Sequence, residues 1–254
     1  MVEYCASSSY FAKLQLLSSE GRESNVYLDP DAYDIPTCVK EYSNSFWLDC
    51  SNDEAIKKMF SLDEKLKDSK NISPSIIFYD IDEYKKGNKK LVAIGLPYLQ
   101  DYISIDKVTD ISNKFLCFKN LVALLIDFAS SGIYPTDLNS SNIMVSPEFN
   151  IQLIDLDGNH CKVDPDNPSY YYNQIFNSIR YRIITELLLN EEEYLAAYKY
   201  SSLKEGERTI LKQKGYSSNI IDILLEDRED QSLDDLLESL KELEPLFVEG
   251  QYKK

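Results

Sequence analysis

The alternation of apolar and polar positions changes period near the middle of the chain. In LQLLSSEGRESNVYL, apolar residues stand on both sides of a small polar loop, the pattern of two strands joined by a turn. TCVKEY is a short run of the same β type. A helix opens near Ser51, with Asp53 and Glu54 in its first turn, where the helix dipole favours acids. Ile56, Met59, Phe60 and Leu62 or Leu66 give it one apolar face, and Pro74 follows it. SIIFYDIDEY and LVAIGLPYL predict two further strands joined by the turn-like KKGNKK. Beyond Pro97 the pattern becomes helical. The strongly apolar run from Ile111 to Ala129 ends at Ser131-Gly132, a helix stop. NIMV and IQLID, with a turn at Pro147 to Asn150, predict a short hairpin. Helices are then predicted over Tyr171 to Leu189, Glu191 to Leu203, Glu205 to Lys214, Ser218 to Leu225 and Ser232 to Leu246. The chain reads as an α+β protein with a β-rich front and a helical back. A cleft between two such lobes is a natural ligand site.

With 254 residues, the chain is long enough for one large domain or two small lobes. Hydrophobic residues at 43% and charged residues at 28% are ordinary for a globular protein and exclude a disordered one. The net charge of −16 sets the choice of partners. It repels nucleic acid and anionic lipid, keeps the chain soluble, and would attract a basic protein substrate or partner. Five cysteines, an odd number with no CxxC pair, argue against a disulfide framework or a structural zinc site and read as reduced thiols in a cytoplasmic setting. No basic start followed by an apolar run marks a signal peptide, and the apolar stretch from Leu121 to Phe128 is too short to span a membrane. His160 is the only histidine and G-x-S-x-G does not occur, so a Ser-His-Asp hydrolase or a histidine-rich metal site is hard to build.

The chemistry concentrates in the centre. Asp137-Leu-Asn-Ser-Ser-Asn142 is followed by the predicted hairpin and then by Asp155-Leu-Asp157-Gly158, with spacings of 142 − 137 = 5 and 155 − 142 = 13. Singly, these residues are ordinary caps and turn formers. Together they resemble the catalytic loop and metal-binding segment of the protein kinase superfamily. That resemblance implies a two-lobed kinase-like fold, with an N-lobe over residues 1–98, a C-lobe over 99–254 and a short activation segment. It also implies ATP and Mg2+ as cofactors. Phosphoryl transfer needs hard oxygen ligands for magnesium, which Asp155 and Asn142 would supply, and a carboxylate facing the attacking hydroxyl, which would be Asp137.

The front of the chain extends the resemblance. Glu20-Gly21-Arg-Glu-Ser-Asn-Val26-Tyr is similar to the phosphate-covering loop, and its form is closest to that of RIO-type atypical kinases. Gly21, Ser24 and Val26 would line the nucleotide. Lys40 lies 40 − 26 = 14 residues further on and matches the strand lysine that contacts the α- and β-phosphates. Its partner would be Glu64 on the following helix, with Glu54 as the fallback. Leu96-Pro97-Tyr98-Leu99 would be the hinge, where Leu96, Tyr98 and Leu99 meet adenine.

The departures are equally specific. Pro135-Thr136-Asp137 replaces His-Arg-Asp, so the arginine that reads a phosphorylated activation loop is missing. Asn139 stands where a lysine would stabilise the moving phosphoryl group. No Ala-Pro-Glu follows Gly158, so the peptide platform is reduced. Asp157 reads as a turn residue or a second metal ligand, with the turn preferred. Tyr170-Tyr171-Tyr172 reads as the packed start of a helix, a phosphorylation site or a partner contact. The leading expectation is a Ser/Thr protein kinase. A small-molecule kinase, a pseudokinase scaffold and a nucleotidyl transferase are its rivals on the same fold.

Overall fold

A computed structural model of the chain describes residues 1–19, 24–31, 35–44, 46–49, 51–69, 71–158, 160–226 and 232–248. Gly21 of the predicted phosphate loop lies outside them. By internal packing the chain divides into two compact units, Met1–Tyr102 with Gln152–Val163, and Ile103–Ile151 with Asp164–Lys254. This differs from a single cut near residue 98, because the segment carrying Asp155 and Asp157 returns to pack with the first unit.

The first unit is built on β1 (Val2–Ala6), β2 (Gln15–Ser18), β3 (Ser24–Asp29), β4 (Thr37–Tyr42), β5 (Ile76–Asp80) and β6 (Leu91–Pro97), with helices α1 (Ser8–Phe11), α2 (Phe46–Asp49), α3 (Asn52–Leu66) and α4 (Ile81–Lys85). The six strands form one sheet in the order β1-β5-β6-β4-β3-β2. β1 runs parallel to β5 and the remaining neighbours are antiparallel. Period-two alternation gives the sheet two buried faces. Ala6, Val39, Ile76, Phe78 and Ala93 cluster with Phe11 of α1. Ile77 and Ile94, out of phase with that set, are also fully buried. In register, Lys40 stands between Val26 on β3 and Ile94 on β6.

α3 starts where the pattern places it. Ser51 accepts a hydrogen bond from the Glu54 backbone N–H while the Glu54 side chain accepts from the Ser51 N–H, a reciprocal capping box. Its buried face is Ala55, Met59, Leu62 and Leu66, and Phe60 is 41% exposed instead of facing the core. The predicted strand SIIFYDIDEY is also shorter than expected. Asp80 accepts from the backbone N–H groups of Asp82 and Glu83 and caps α4, so the extended run stops there.

The second unit opens with β7 (Ile103–Ser104) and α5 (Ile111–Ser130), followed by β8 (Ile133–Pro135) and β9 (Ile143–Val145). β9 pairs antiparallel with β7. Helices α6 (Pro168–Ile183), α7 (Glu191–Ala197), α8 (Leu203–Gln213), α9 (Ser218–Leu225) and α10 (Leu233–Val248) complete it. α5 is its core: Phe115, Phe118, Leu121, Val122, Leu125 and Phe128 are buried, each worth about 1.5–3 kcal/mol of burial. Phe115 stacks on Phe247 of α10 with ring centroids 4.7 Å apart. Asn167 caps α6 and Pro168 occupies its first turn, while the predicted helix beyond Ala197 breaks before Ser202 caps α8. Among the described residues, no helix is long and apolar enough to cross a membrane.

Candidate active site

Lys40 is the centre of the first unit's charged cluster. It projects from β4 and is only 9% exposed. Its Nζ forms an ion pair with Asp155 and lies 2.8 Å from Asp157 Oδ2. The two acids differ in environment. The Asp155 side chain is 36% exposed, whereas that of Asp157 is 2% exposed. Tyr42, two residues along β4 from Lys40, donates its hydroxyl to the same Asp157 Oδ2 at 2.7 Å. Burial by itself would lower the Lys40 ammonium, but the charges of Asp157 and Asp155 and hydrogen bonds to both hold it above the ordinary lysine range. Burial would likewise raise the Asp157 carboxyl, and the Lys40 charge with hydrogen bonds from Lys40 and Tyr42 holds it below the ordinary carboxylate range. Asp155 adopts φ 65, left-handed backbone that is uncommon outside glycine and that aspartate tolerates.

The loop that carries these acids is tied down on both sides. Lys58, in the middle of α3, donates to the carbonyls of Gly158 and Cys161, the latter at 2.6 Å. Asn71 donates to the Leu153 carbonyl at 3.1 Å and accepts from the Leu153 N–H at 2.7 Å. Burial pushes the Cys161 thiol up to about 11, so it is inert, and the Cys38 and Cys117 thiols are pushed up to the same value.

Glu64 is not in this cluster. It lies on an exposed position of α3, and the ion pairs of Lys40 are made to Asp155 and Asp157. The reason is the phase of the helix: Ala55, Met59, Leu62 and Leu66 face inward, and a residue two positions after Leu62 points away. Glu54, the fallback, is occupied in the capping box and exposed. Of the predicted nucleotide-binding residues, Ser24 is buried opposite Tyr42, and Val26 is opposite Lys40. Leu96 pairs with Cys38, and the Tyr98 N–H donates to the Pro36 carbonyl at 2.9 Å. Leu99 follows, half-buried.

Asp137 and Asn142 are brought together in the second unit. Ser140–Asn142 form a single tight helical turn, and the Asn142 amide donates to Asp137 Oδ2 at 3.1 Å. With its NH2 directed at Asp137, the amide keeps its oxygen as an acceptor. Arg182 of α6 braces this loop, donating to the Leu138 carbonyl at 2.5 Å and to the Ser140 hydroxyl at 3.1 Å while pairing with Glu186 at 2.7 Å. Asn139 is exposed. Asp157 as a charge partner, Lys58 and Arg182 escaped the sequence reading. Only the acidic pair around Leu156 gave a signal, because a buried arginine or lysine on an amphipathic helix is indistinguishable from a solvated one until its neighbours are known.

Among the described residues, no group of three or more His, Cys, Asp or Glu side chains is disposed to hold a metal ion. Magnesium does not need one. It keeps several waters and binds through one or two carboxylates plus substrate phosphates. The partly exposed carboxylate of Asp155 is a donor of that kind.

No family model and no curated protein matches the sequence. Among solved structures, the fold is similar to that of the apo GRMZM2G135359 pseudokinase, with a TM-score of 0.59 and 10% identity over 96% of this chain and 98% of that one. At that identity the likeness establishes the fold. The chain has a protein-kinase-like α+β fold, with a β-sheet N-terminal region and a helical C-terminal part.

Proposed function

We propose that the chain is an ATP- and Mg2+-dependent phosphotransferase acting on an alcohol hydroxyl, in the first instance the Ser or Thr hydroxyl of a protein. The observation that carries this reading is the ion pair of the buried strand lysine Lys40 with Asp155. For stability alone, a buried charge cluster is a poor choice over well-packed apolar residues, which are often as stabilising or more so. A lysine kept charged beside the carboxylate of a D-x-x-x-x-N…D constellation is accounted for by polyphosphate binding.

In this reading Lys40 holds the α- and β-phosphates, and the backbone around Gly21, Ser24 and Val26 covers them. Leu96, Tyr98 and Leu99 receive adenine. Asp155 and Asn142 are the magnesium ligands, and bound magnesium supplies charge neutralisation on the phosphates. Asp137 orients the attacking hydroxyl and accepts its proton, with the Asn142 amide fixing the carboxylate through its hydrogen bond. The −16 net charge favours a basic protein substrate or regulatory partner over nucleic acid, and the reduced-thiol composition favours a cytoplasmic location.

A second reading, a nucleotide-binding scaffold without turnover, is favoured by two observations: among the described residues the ion pairs of Lys40 are made to Asp155 and Asp157 and not to a helix glutamate, and Asn139 stands at the lysine position. Intact-mass spectrometry after incubation with Mg2+ and ATP separates the readings. A gained phosphate supports the phosphotransferase, a gained nucleotide supports nucleotidyl transfer, and an unchanged mass with nucleotide bound supports the scaffold.

A further inference from the structure

α3 sends a lysine, not a glutamate, to the loop that carries Asp155. Lys58 donates to the Gly158 and Cys161 carbonyls, while Glu64 is exposed. Lys40 is nevertheless held from two sides. Its second partner, Asp157, lies in a turn, but its side chain does not make the bonds expected of a turn former. Turn aspartates bond their own backbone one or two residues on. Asp157 instead reaches across to β4, where Lys40 and the hydroxyl of Tyr42, 115 positions earlier in the chain, both meet its Oδ2. Its surroundings are equally wrong for a metal ligand. The side chain is 2% exposed, whereas magnesium dehydrates reluctantly and needs an open side for its waters. Asp155, at 36%, has that open side.

We propose that Asp157 is the positioning residue for Lys40, taking the place that the resemblance reserves for Glu64. The proposal rests on the phosphotransferase reading. The two acids divide the work: Asp155 meets the cation, and Asp157 keeps the ammonium in place when Asp155 is so engaged. The anchor therefore sits on the same loop as the metal ligand. The geometry of Lys40 does not depend on an inward swing of α3, which Lys58 ties to that loop in any case.

The test follows Lys40 directly. A small acylating reagent at mildly alkaline pH labels exposed amines, and peptide mass spectrometry gives the rate at Lys40 relative to the other lysines. Asp157→Asn should raise the relative rate at Lys40 on the order of tenfold, the worth of one lost charge-assisted hydrogen bond. Tyr42→Phe, which keeps the carboxylate but removes its second donor, should raise it less. Glu64→Gln should leave it at the wild-type rate. A general loosening of the fold would raise all lysines together and would not produce this pattern. An unchanged Lys40 rate in Asp157→Asn, or release of Lys40 by Glu64→Gln, overturns the proposal. Should Asp157→Asn fail to fold, Tyr42→Phe decides, and an unchanged rate there overturns it as well. Labelling requires no turnover. A chain that neither binds nor converts Mg-ATP would refute the phosphotransferase reading, while the Lys40 rates would still decide what holds the lysine.

Discussion

Lys40→Met keeps most of the aliphatic stem and removes only the charge, so its effect on stability can be worked from the environments of the two acids. Asp155 is 36% exposed at the side chain and can rehydrate. Asp157 is 2% exposed and would be left with the Tyr42 hydroxyl and the charge of Lys58. Removing one partner of a buried pair costs about 3–5 kcal/mol, and for a chain of this size that lowers Tm by roughly 10 °C. The pH dependence follows from the direction of each shift. In the wild type the Asp157 carboxyl is depressed, so its contribution is present above the unfolded carboxyl pKa and is lost as pH falls through the folded value. In the variant, burial is opposed only by the Tyr42 hydrogen bond and the charge of Lys58, so the depression of the carboxyl is weakened. The stability that the depressed carboxyl contributes above the unfolded pKa is reduced accordingly. The deficit relative to wild type should be largest at neutral pH and shrink toward pH ~4, near the unfolded pKa. Urea unfolding at several pH values, repeated with Asp157→Asn in the Lys40→Met background, measures this. The added Asn should restore stability. A deficit below about 1 kcal/mol that is independent of pH, or a double variant less stable than Lys40→Met, would refute the reasoning.

Asp155→Ala should abolish the tightening of ATP binding by magnesium while changing the unfolding midpoint little, and titration calorimetry with and without Mg2+ checks both. Phosphatase treatment, or replacement of Tyr170, Tyr171 and Tyr172 by Phe, should leave turnover unchanged, because Thr136 stands where a phosphate-reading arginine would be. A large loss restored by rephosphorylation at one of these tyrosines or at Ser169 would show a switch. Ser51→Ala should cost about 1 kcal/mol through loss of the α3 cap, with no effect on the affinity for ATP. Leu121→Ala in the fully buried core of α5 should cost about 2–5 kcal/mol, measured by the same urea unfolding.

Much of the fold was legible because its elements are locally consistent. The Ser51 cap with Glu54, the apolar run ending at Ser131-Gly132 and the NIMV–IQLID hairpin each carry start, period and stop in adjacent residues. What the sequence left open was long-range. The parallel pairing of β1 with β5 joins residues more than seventy positions apart, and no local pattern announces it. Phe60 looked like core because it is apolar, but helix phase puts Ala55 on the inner face instead. The D-x-x-x-x-N and D-L-D-G spacings identified Asp137, Asn142 and Asp155 as candidates, and the distance from Val26 identified Lys40. The partner of Lys40 was misassigned because a glutamate on a helix can be placed by its distance from the next proline, whereas its direction depends on packing. Asp157 lies in a turn, the preferred of its two readings, but its partners Lys40 and Tyr42 become visible only once β4 is in place.

The most direct test of the central claim is the fate of ATP itself. Purified chain is incubated with ATP and Mg2+, with and without a basic acceptor protein, and the nucleotides are separated. The account predicts ADP, with its formation dependent on magnesium and lost in Asp137→Ala. AMP with pyrophosphate, or recovery of ATP intact at every protein concentration, would contradict it.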